Sequence, residues 1–264
     1  MDPIEQADFS RRFGGVDRLY GEGFPAFLNQ HACAMVVGVG GVGSWAAEAL
    51  ARSGVGRITL VDMDHVAESN INRQIQARDC TLGQEKIRAL ADWIASYAPN
   101  CQLTLRDTFL EHSNASALLD EFHDTGGSAF PMVLDCCDNA QAKAALCVLG
   151  RARKLPVLVA GSAGGKRQPW LVQPADLRDT SNDPLLAKLR YQLRRQHGFP
   201  RDKRMHVQVF FSPEQVRKTE ACNTDAGLNC AGYGSVVSVT ATMGMQMAAW
   251  ALNQWAQRWQ SQAA

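Results

Sequence analysis

The sequence predicts an α/β protein with a Rossmann-like, doubly wound, mostly parallel sheet, followed by a C-terminal basic insertion and a final buried helix. Two observations favour this class. Short apolar runs of strand length alternate with helical stretches from residue 34 to residue 165, and the first run ends in glycines that open a helix. Such alternation is typical of parallel strands joined by right-handed crossover helices.

The predicted elements follow one another in a regular order. Strands are expected at 34–37, 57–62, 102–106, 132–135 and 156–160, and helices at 44–53, 86–97, 113–122 and 140–153. After Gly165 the alternation stops, and residues 166–220 are polar and proline-containing, with one clear strand at 207–211 and a last helix over 232–258. We therefore expect an N-terminal helical arm (1–30), a Rossmann-like domain (31–165) and a substrate-facing insertion whose C-terminal helix packs on the same core (166–264).

Composition and charge exclude several classes of protein. Hydrophobic residues make up 46% and charged residues 20% of the 264 positions, which excludes global disorder. Lys and Arg number 27 against 26 acids, so only a local patch could attract a nucleic acid or a membrane. The eight cysteines contain no C-x-x-C pair, and the first residues show no basic-then-apolar signal segment. We expect reduced thiols and a cytoplasmic protein.

One apolar stretch requires a membrane test. No charged residue occurs between residues 226 and 257, and residues 236–252 are largely apolar. Ser, Thr, Gln and Gly interrupt this stretch, which favours a helix buried in a core or a subunit interface and therefore no membrane partner. Membrane association through 232–252 is the alternative.

The glycine-rich segment is the first functional signal. Gly38, Gly40 and Gly43 match G-x-G-x-x-G between a strand and a helix, where glycines allow backbone amides to approach a phosphate. Asp62 ends the following strand, the position at which a carboxylate can accept from ribose hydroxyls. This pattern alone predicts a nucleotide-binding site, and NAD is the nucleotide expected by default.

The residues after Asp62 favour a triphosphate instead. Asn70, Arg73 and Gln74 follow the ribose strand closely, and Lys86 begins the next helix. A hydride-transfer enzyme needs no arginine there, whereas attack on a triphosphate builds charge that a bidentate donor stabilises. Asp138 follows a strand at the carboxyl edge of the sheet and is the natural carboxylate for Mg²⁺ on phosphates.

Jointly, these motifs resemble the ubiquitin-activating-enzyme-like superfamily of ATP-dependent adenylyltransferases. The stretches at 12–21, 40–52 and 230–234 are similar to those of the tRNA threonylcarbamoyladenosine dehydratases within it. The resemblance implies a homodimer, ATP with Mg²⁺, and activation of a carboxylate as an acyl-adenylate. It implies catalytic roles for Arg73, Lys86 and Asp138, with Asp138 as the metal ligand. The ATP-binding set that it implies is Gly38, Gly40, Gly41, Gly43, Asp62, Asp64, Asn70, Arg73, Gln74, Lys86 and Asp138.

The sequence departs from this superfamily at two places. Relatives that activate sulfur carriers have paired C-x-x-C zinc ligands, and this chain has none. Those relatives also have R-[YF]-x-R near the N-terminus, but here Gly15 stands at the second arginine position. Whether Arg12 or Arg18 reaches the ATP of a neighbouring subunit is therefore open.

A basic segment follows the nucleotide-binding part of the chain. Positive side chains interleaved with Tyr191, His197 and Phe199 can neutralise RNA phosphates and stack on unpaired bases, although a solvated amphipathic helix has the same composition. The predicted tRNA-binding residues are Lys188, Arg190, Arg194, Arg195, Arg201, Lys203 and Arg204. Cys230 is a candidate redox or persulfide thiol, and a cysteine desulfurase or sulfur-acceptor system is a partner left open.

Three hypotheses of function follow. The first is ATP-dependent dehydration, by cyclisation, of threonylcarbamoyladenosine in the tRNA anticodon loop through adenylylation of the threonine carboxylate. The alternative is an adenylyltransferase that activates the C-terminus of a sulfur-carrier protein. The basic segment and the absent zinc motif favour the first. An NAD-binding regulatory module is disfavoured by the segment 70–74.

Overall fold

The computed structural model describes residues 8–124, 130–216 and 233–263. Its sheet contains seven strands in the order β3-β2-β1-β4-β5-β7-β6. All neighbouring strands pair in parallel except β6 and β7. The strands are β1 (Ala32–Val37), β2 (Arg57–Val61), β3 (Gln102–Arg106), β4 (Phe130–Asp135), β5 (Val157–Ala160), β6 (Gln173–Asp176) and β7 (Gln208–Phe211). The predicted fold class is confirmed.

Helices cover both faces of this sheet. They are α1 (Phe9–Tyr20), α2 (Phe24–His31), α3 (Gly43–Arg52), α4 (Lys86–Ala95), α5 (Ala115–Asp124), α6 (Ala140–Arg153), α7 (Pro184–Gln196) and α8 (Val237–Ala263). The alternation of side chains along β1 divides the core. Ala34 and Val36 pack with residues of α2, α3, α4 and α8, whereas Met35 and Val37 pack with residues of α5 and α6. Because β1 is buried on both faces, its sequence is a continuous apolar run.

Helix α8 lies directly on α3. A Cβ atom at Gly244 would come 2.4 Å from the Val42 carbonyl oxygen, so only glycine permits this close approach. Val239, Met243 and Met247 are completely buried in the contact. Among the described residues, no helix is both long and apolar enough to cross a membrane. The helix expected over 232–258 begins at Val237 and extends to Ala263.

The sequence prediction missed strand β6 and gave a helix in the basic segment only as an alternative. Residues 166–206 were expected to contain no strand, but β6 pairs antiparallel with β7 and closes the edge of the sheet. Helix α7 follows at Pro184, and its leucines at 185, 186, 189 and 193 are buried. Asp183 caps α7 by accepting from the Leu186 amide at 3.0 Å, and proline at the first helical position is a known start signal.

Candidate active site

The glycine loop occupies the point where the order of strands reverses between β1 and β4. Gly38 has φ +81°, and its amide donates to the Val61 carbonyl oxygen at 2.8 Å. A Cβ atom on Gly43 would lie 1.9 Å from the Gly38 carbonyl oxygen, so a side chain cannot fit there. The amides of Gly40, Gly41, Val42 and Gly43 donate to no oxygen of the described residues. Four such amides at a helix N-terminus form an anion-binding site.

The Asp62 carboxylate, which is predicted to accept from ribose hydroxyls, holds the start of this loop. Its Oδ2 atom accepts from the Val39 amide at 2.8 Å, and its Oδ1 atom accepts from the Asp64 amide at 2.9 Å. Burial raises the pKa of Asp62, while these two hydrogen bonds and the nearby Lys86 oppose the rise. The Nζ atom of Lys86 lies 2.7 Å from Asp64 Oδ2, and the Lys86 side chain is almost completely buried. The structure therefore brings Asp62, Asp64 and Lys86 together, as the motifs predict.

The segment 70–76 lies across the glycine loop. A Cβ atom on Gly41 would lie 3.3 Å from Arg73 Cδ, which shows that the arginine stem covers the loop. The Arg73 guanidinium donates through Nη1 to the Ser69 carbonyl oxygen at 2.7 Å and to Asn72 Oδ1 at 2.9 Å. These two bonds use one of its three nitrogens, and guanidinium groups present five N–H donors.

Gln74 and Asn70 support this arrangement. Gln74 is buried, and its side-chain nitrogen Nε2 lies 3.9 Å from the position that a Cβ atom on Gly40 would occupy. Asn70 Oδ1 accepts from the Ala67 amide at 3.1 Å, so its role here is to shape the turn that carries Arg73. Gln76 was missed by the sequence prediction. It is completely buried and donates to the Val39 carbonyl oxygen at 2.8 Å, which ties the turn to the glycine loop.

The predicted metal ligand lies next to the loop. Cys137, the residue before Asp138, has its amide nitrogen 2.9 Å from where a Cβ atom on Gly38 would lie. Asp138 is exposed and has no polar partner among the described residues. Within the described ranges, no group of three or more His, Cys, Asp or Glu side chains could hold a metal ion. A single exposed carboxylate is compatible with Mg²⁺, which typically takes one or two protein carboxylates and keeps several waters.

A buried ion pair beneath this turn was also missed. Asp135, at the end of β4, lies 3.1 Å from the Lys143 ammonium, and neither side chain is exposed. Burial is the largest single influence and opposes the charged form of Lys143, but the Asp135 carboxylate, together with the neighbouring Cys137 and Cys136, outweighs it, and the pKa of Lys143 rises. Burial raises the pKa of Cys136 to about 12 and that of Cys137 well above its usual value. Both thiols are therefore protonated near neutral pH.

The start of α8 closes the site. A Cβ atom on Gly41 would come 3.1 Å from Thr240 Cγ2, and Thr240 is buried, so this threonine also lines the loop. Asn72 Nδ2 donates to the Ser235 carbonyl oxygen at 2.9 Å. The candidate thiol Cys230 lies outside the described residues, as does the neighbouring Cys222.

The predicted tRNA-binding residues lie away from the loop. Asp183 accepts from the Ser162 amide, just after β5, so α7 begins at the carboxyl edge of the sheet and runs toward the amino edge. Arg190 donates to the Leu177 and Thr180 carbonyl oxygens, and Arg194 donates to those of Pro200 and Arg201. Arg190 therefore also holds the segment before α7, and Arg194 holds the segment after it. The remaining members of the set, Lys188, Arg195, Arg201, Lys203 and Arg204, are exposed.

A cavity of about 440 Å³ lies in this basic surface, lined by Ala187, Arg190, Tyr191, Arg194, Arg195 and Arg201. The Arg195 guanidinium lies 5.7 Å from the centroid of the Tyr191 ring. The structure thus gathers four of the predicted bases around one aromatic ring, along helix α7 as it runs away from the carboxyl edge where the glycine loop lies.

The sheet is mostly parallel, and at its switch point the loop amides have no partner among the described residues. An acidic side chain follows the next strand, and an arginine lies over the loop. These features define a Rossmann-like nucleotide-binding protein. The chain belongs to the ThiF family, whose profile matches residues 27–262.

The comparisons identify similar proteins along nearly the whole chain. It is 39% identical over 244 residues to the tRNA threonylcarbamoyladenosine dehydratase of Haemophilus influenzae, covering 90% of each protein. It is 38% identical over 258 residues to the Escherichia coli protein of the same name, covering 92% of this chain and 93% of that relative. The crystal structure of the Escherichia coli dehydratase in complex with ATP superposes with a TM-score of 0.85 at 35% identity, covering 98% of this chain and all of that one.

Proposed function

We propose that this protein is an ATP-dependent tRNA threonylcarbamoyladenosine dehydratase. The single observation that carries the proposal is the row of four unpaired amides at 40–43 with Arg73 lying over them. That arrangement suits a nucleoside triphosphate whose α-phosphorus is attacked. Similarity to dehydratases of that name over nine-tenths of the chain supports the tRNA substrate rather than a sulfur-carrier protein.

The proposed reaction has two steps. An oxygen of the threonine carboxylate attacks the α-phosphorus of ATP, and pyrophosphate leaves with the electrons of the broken P–O bond. An atom of the same modification then attacks the activated carbonyl carbon, its proton is lost, and AMP leaves with the former carboxylate oxygen. The net change is loss of water and formation of a ring. Intramolecular attack needs no protein nucleophile because its effective molarity is already large, which agrees with the protonated state of Cys136 and Cys137.

Each group of site residues has a separate role in the proposed reaction. Arg73 and Lys86 stabilise the charge that develops on the phosphates. Mg²⁺, when bound, would neutralise phosphate charge, and Asp138 would hold it. Asp62, Asn70 and Gln74 hold the loop and the ribose in position. The exposed bases around α7 hold the RNA, because each can neutralise a phosphate.

We also propose a cytoplasmic homodimer. Large apolar side chains remain exposed near the start of α8: Trp170 is 75% exposed, Met245 40% and Val237 38%. Val237 and Met245 line one open groove together with Pro169, the residue before Trp170, and an exposed apolar surface of this kind marks an interaction site. Arg12 donates to the Tyr97 carbonyl oxygen of its own chain, which leaves the exposed Arg18 as the candidate to reach a partner subunit. Light scattering of the purified protein tests the dimer, and a monomer would contradict it.

Pyrophosphate release tests the activity. We expect release only when the protein receives ATP together with tRNA that bears threonylcarbamoyladenosine, and mass spectrometry of the nucleosides should show the loss of one water. The same tRNA sequence transcribed without modifications is the matched control. Release with a sulfur-carrier protein and none with modified tRNA would establish the alternative function instead.

A further inference from the structure

A second basic cavity lies at the amino edge of the sheet. Its volume is about 530 Å³, and its walls include the first residues of β5 and β7, the end of α6 and the C-terminal half of α8. The glycine loop follows the carboxyl end of β1. Since a six-residue strand spans about 20 Å, the cavity and the loop are separate sites on opposite edges of the sheet.

The walls of this cavity are strongly positive. They contain the cations Arg151, Lys154, Arg204 and Arg258, together with the imidazole of His206, and no Asp or Glu. Among the described residues, none of these five side chains forms an ion pair with a carboxylate. The whole chain has a net charge of only +1. Unpaired bases gathered in a concave site focus a field that attracts anions.

Aromatic side chains lie beside the positive side chains of this cavity. Trp250 lines the cavity and is half-buried. Phe199 lies beneath the Arg151 guanidinium, which is 4.9 Å from its ring centroid, and this contact holds the arginine at the cavity wall. An aromatic face beside several guanidinium groups is the combination that binds a base together with its phosphate. The volume lies in the range of small-ligand sites, about 300–1,000 Å³.

We propose that this cavity binds a phosphorylated nucleoside, with its base against Trp250 and its phosphate between Arg204 and Arg258. The nucleoside comes either from an RNA strand or from a free mononucleotide. The RNA source is favoured because Arg204 belongs to the same 199–206 loop as Arg201, which lines the basic cavity beside α7. An RNA strand that follows this loop would pass from one cavity to the other. In its RNA form the proposal rests on the proposed function, whereas nucleotide binding at the cavity does not.

The test uses uridine 3′,5′-bisphosphate, which has the base and both phosphates of one RNA nucleotide. Isothermal titration should detect saturable binding to the wild-type chain. The double variant Arg204→Glu/Arg258→Glu should weaken it by at least about tenfold, because reversal adds repulsion to the loss of contacts. Trp250→Ala should weaken it about fivefold or more, whereas Trp250→Phe should retain most of the affinity. Arg11→Glu, a charge reversal on exposed α1, is the matched control and should change it less than twofold.

A second measurement separates the two nucleotide sites. Arg73→Ala should weaken ATP binding and leave binding of the bisphosphate unchanged, while Arg204→Glu/Arg258→Glu should do the reverse. Failure of the proposed function would appear as absent pyrophosphate release with intact bisphosphate binding. The proposal is overturned if the bisphosphate does not saturate, or if Arg73→Ala abolishes its binding as completely as the double reversal does.

Competition identifies the source of the nucleoside. We expect an unmodified tRNA transcript, which is not turned over, to displace the bisphosphate from the wild-type chain. Displacement supports an RNA site, whereas bisphosphate binding without displacement supports a site for free mononucleotides. Absent bisphosphate binding combined with a changed oligomeric state in the double variant would contradict the proposal in favour of a protein partner.

Discussion

The Asp135 carboxylate and the Lys143 ammonium form a completely buried ion pair, 3.1 Å apart, beneath the turn that contacts the glycine loop. Lys143 also donates to the Asp135 carbonyl oxygen at 3.3 Å, and Asp135 accepts from the Cys137 amide at 3.3 Å. The pair therefore fixes the end of β4 and the start of the turn that carries Asp138. Removing one partner would leave an uncompensated charge in the core.

Lys143→Met should lower the free energy of unfolding by about 3–5 kcal/mol, because Asp135 would then be buried without a counter-charge. Urea denaturation followed by circular dichroism measures the change. The double variant Asp135→Asn/Lys143→Met should recover part of this loss, since asparagine can still accept from the Cys137 amide and carries no charge. Equal stability of the single and double variants would contradict the ion-pair interpretation.

Substitutions of single glycines should separate binding from folding. Gly41→Ala should fold, because the neighbouring Thr240 and Arg73 side chains need to move only a few tenths of an ångström, but it should weaken ATP binding at least about tenfold by narrowing the anion site. Gly43→Ala should not fold stably, since its Cβ atom would overlap the Gly38 carbonyl oxygen.

Gly15→Ala is the matched control for the glycine substitutions. This position lies on helix α1 with no atom within 4 Å of the added Cβ, so the variant should gain about 0.5–1 kcal/mol and keep full ATP affinity. Calorimetry of ATP binding and thermal melts of the three variants make the comparison. Wild-type ATP affinity in Gly41→Ala would show that the phosphates bind elsewhere.

Asp138→Ala should abolish adenylylation and leave the melting temperature unchanged. The side chain is exposed and has no polar partner among the described residues, so its loss costs little stability, while the triphosphate charge would lose its metal ligand. Pyrophosphate release over a Mg²⁺ titration measures the effect. Asp92→Ala, an exposed carboxylate on α4, serves as the control. Unchanged turnover in Asp138→Ala with an unchanged Mg²⁺ requirement would remove the metal assignment.

Local pattern was sufficient for the elements that build the nucleotide site. The βαβ unit from β1 to β2, and the placement of Arg73 and Lys86 beside the loop, followed from glycines and polar residues at strand ends, which chain topology brings to one edge. The Asp135–Lys143 pair could not be predicted, because a lysine in the alanine-rich α6 has the same sequence signature whether it faces solvent or the core. Its burial depends on a tertiary contact with β4.

Helix α7 and strand β6 illustrate a different limit. The Asp183–Pro184 start signal and the leucine spacing of α7 were present in the sequence, but the density of bases and prolines hid them. Strand β6 has four residues, one of them Pro174, and only its pairing with β7 defines it. Edge strands of this length lack the alternation on which sequence prediction depends.

The buried thiols should react slowly and in a pH-dependent order. Burial raises the pKa of Cys33 to about 11 and that of Cys136 to about 12, whereas the Cys80 side chain is exposed. Because the thiolate is the reactive form, iodoacetamide at pH 7.5 should modify Cys80 and leave Cys33 and Cys136 intact. Raising the pH toward 9.5 should accelerate modification of both Cys33 and Cys136, because the thiolate fraction of each rises with pH. Peptide mass spectrometry of the native protein makes the measurement, and early loss of Cys136 would contradict the burial of this turn.

The exposed bases around α7 should determine the salt dependence of tRNA binding. Arg195 and Lys203 are exposed, and neither donates to a backbone carbonyl oxygen of the described residues. Arg195→Glu/Lys203→Glu should therefore weaken tRNA binding and reduce the log–log salt slope by about two units, one for each lost phosphate contact. ATP affinity should remain unchanged because the glycine loop lies at the opposite edge of the sheet.

Arg194→Glu would be a poorer test, since that guanidinium also holds the Pro200 and Arg201 carbonyl oxygens and its loss would disturb the loop. Arg194→Gln therefore serves as the structural control, and we expect it to lower the melting temperature more than the double reversal does. Binding measured at about 50 to 200 mM salt gives the slopes. Overlapping curves for the wild type and the double reversal would mean that this basic face is only solvated and that the RNA is held elsewhere on the protein.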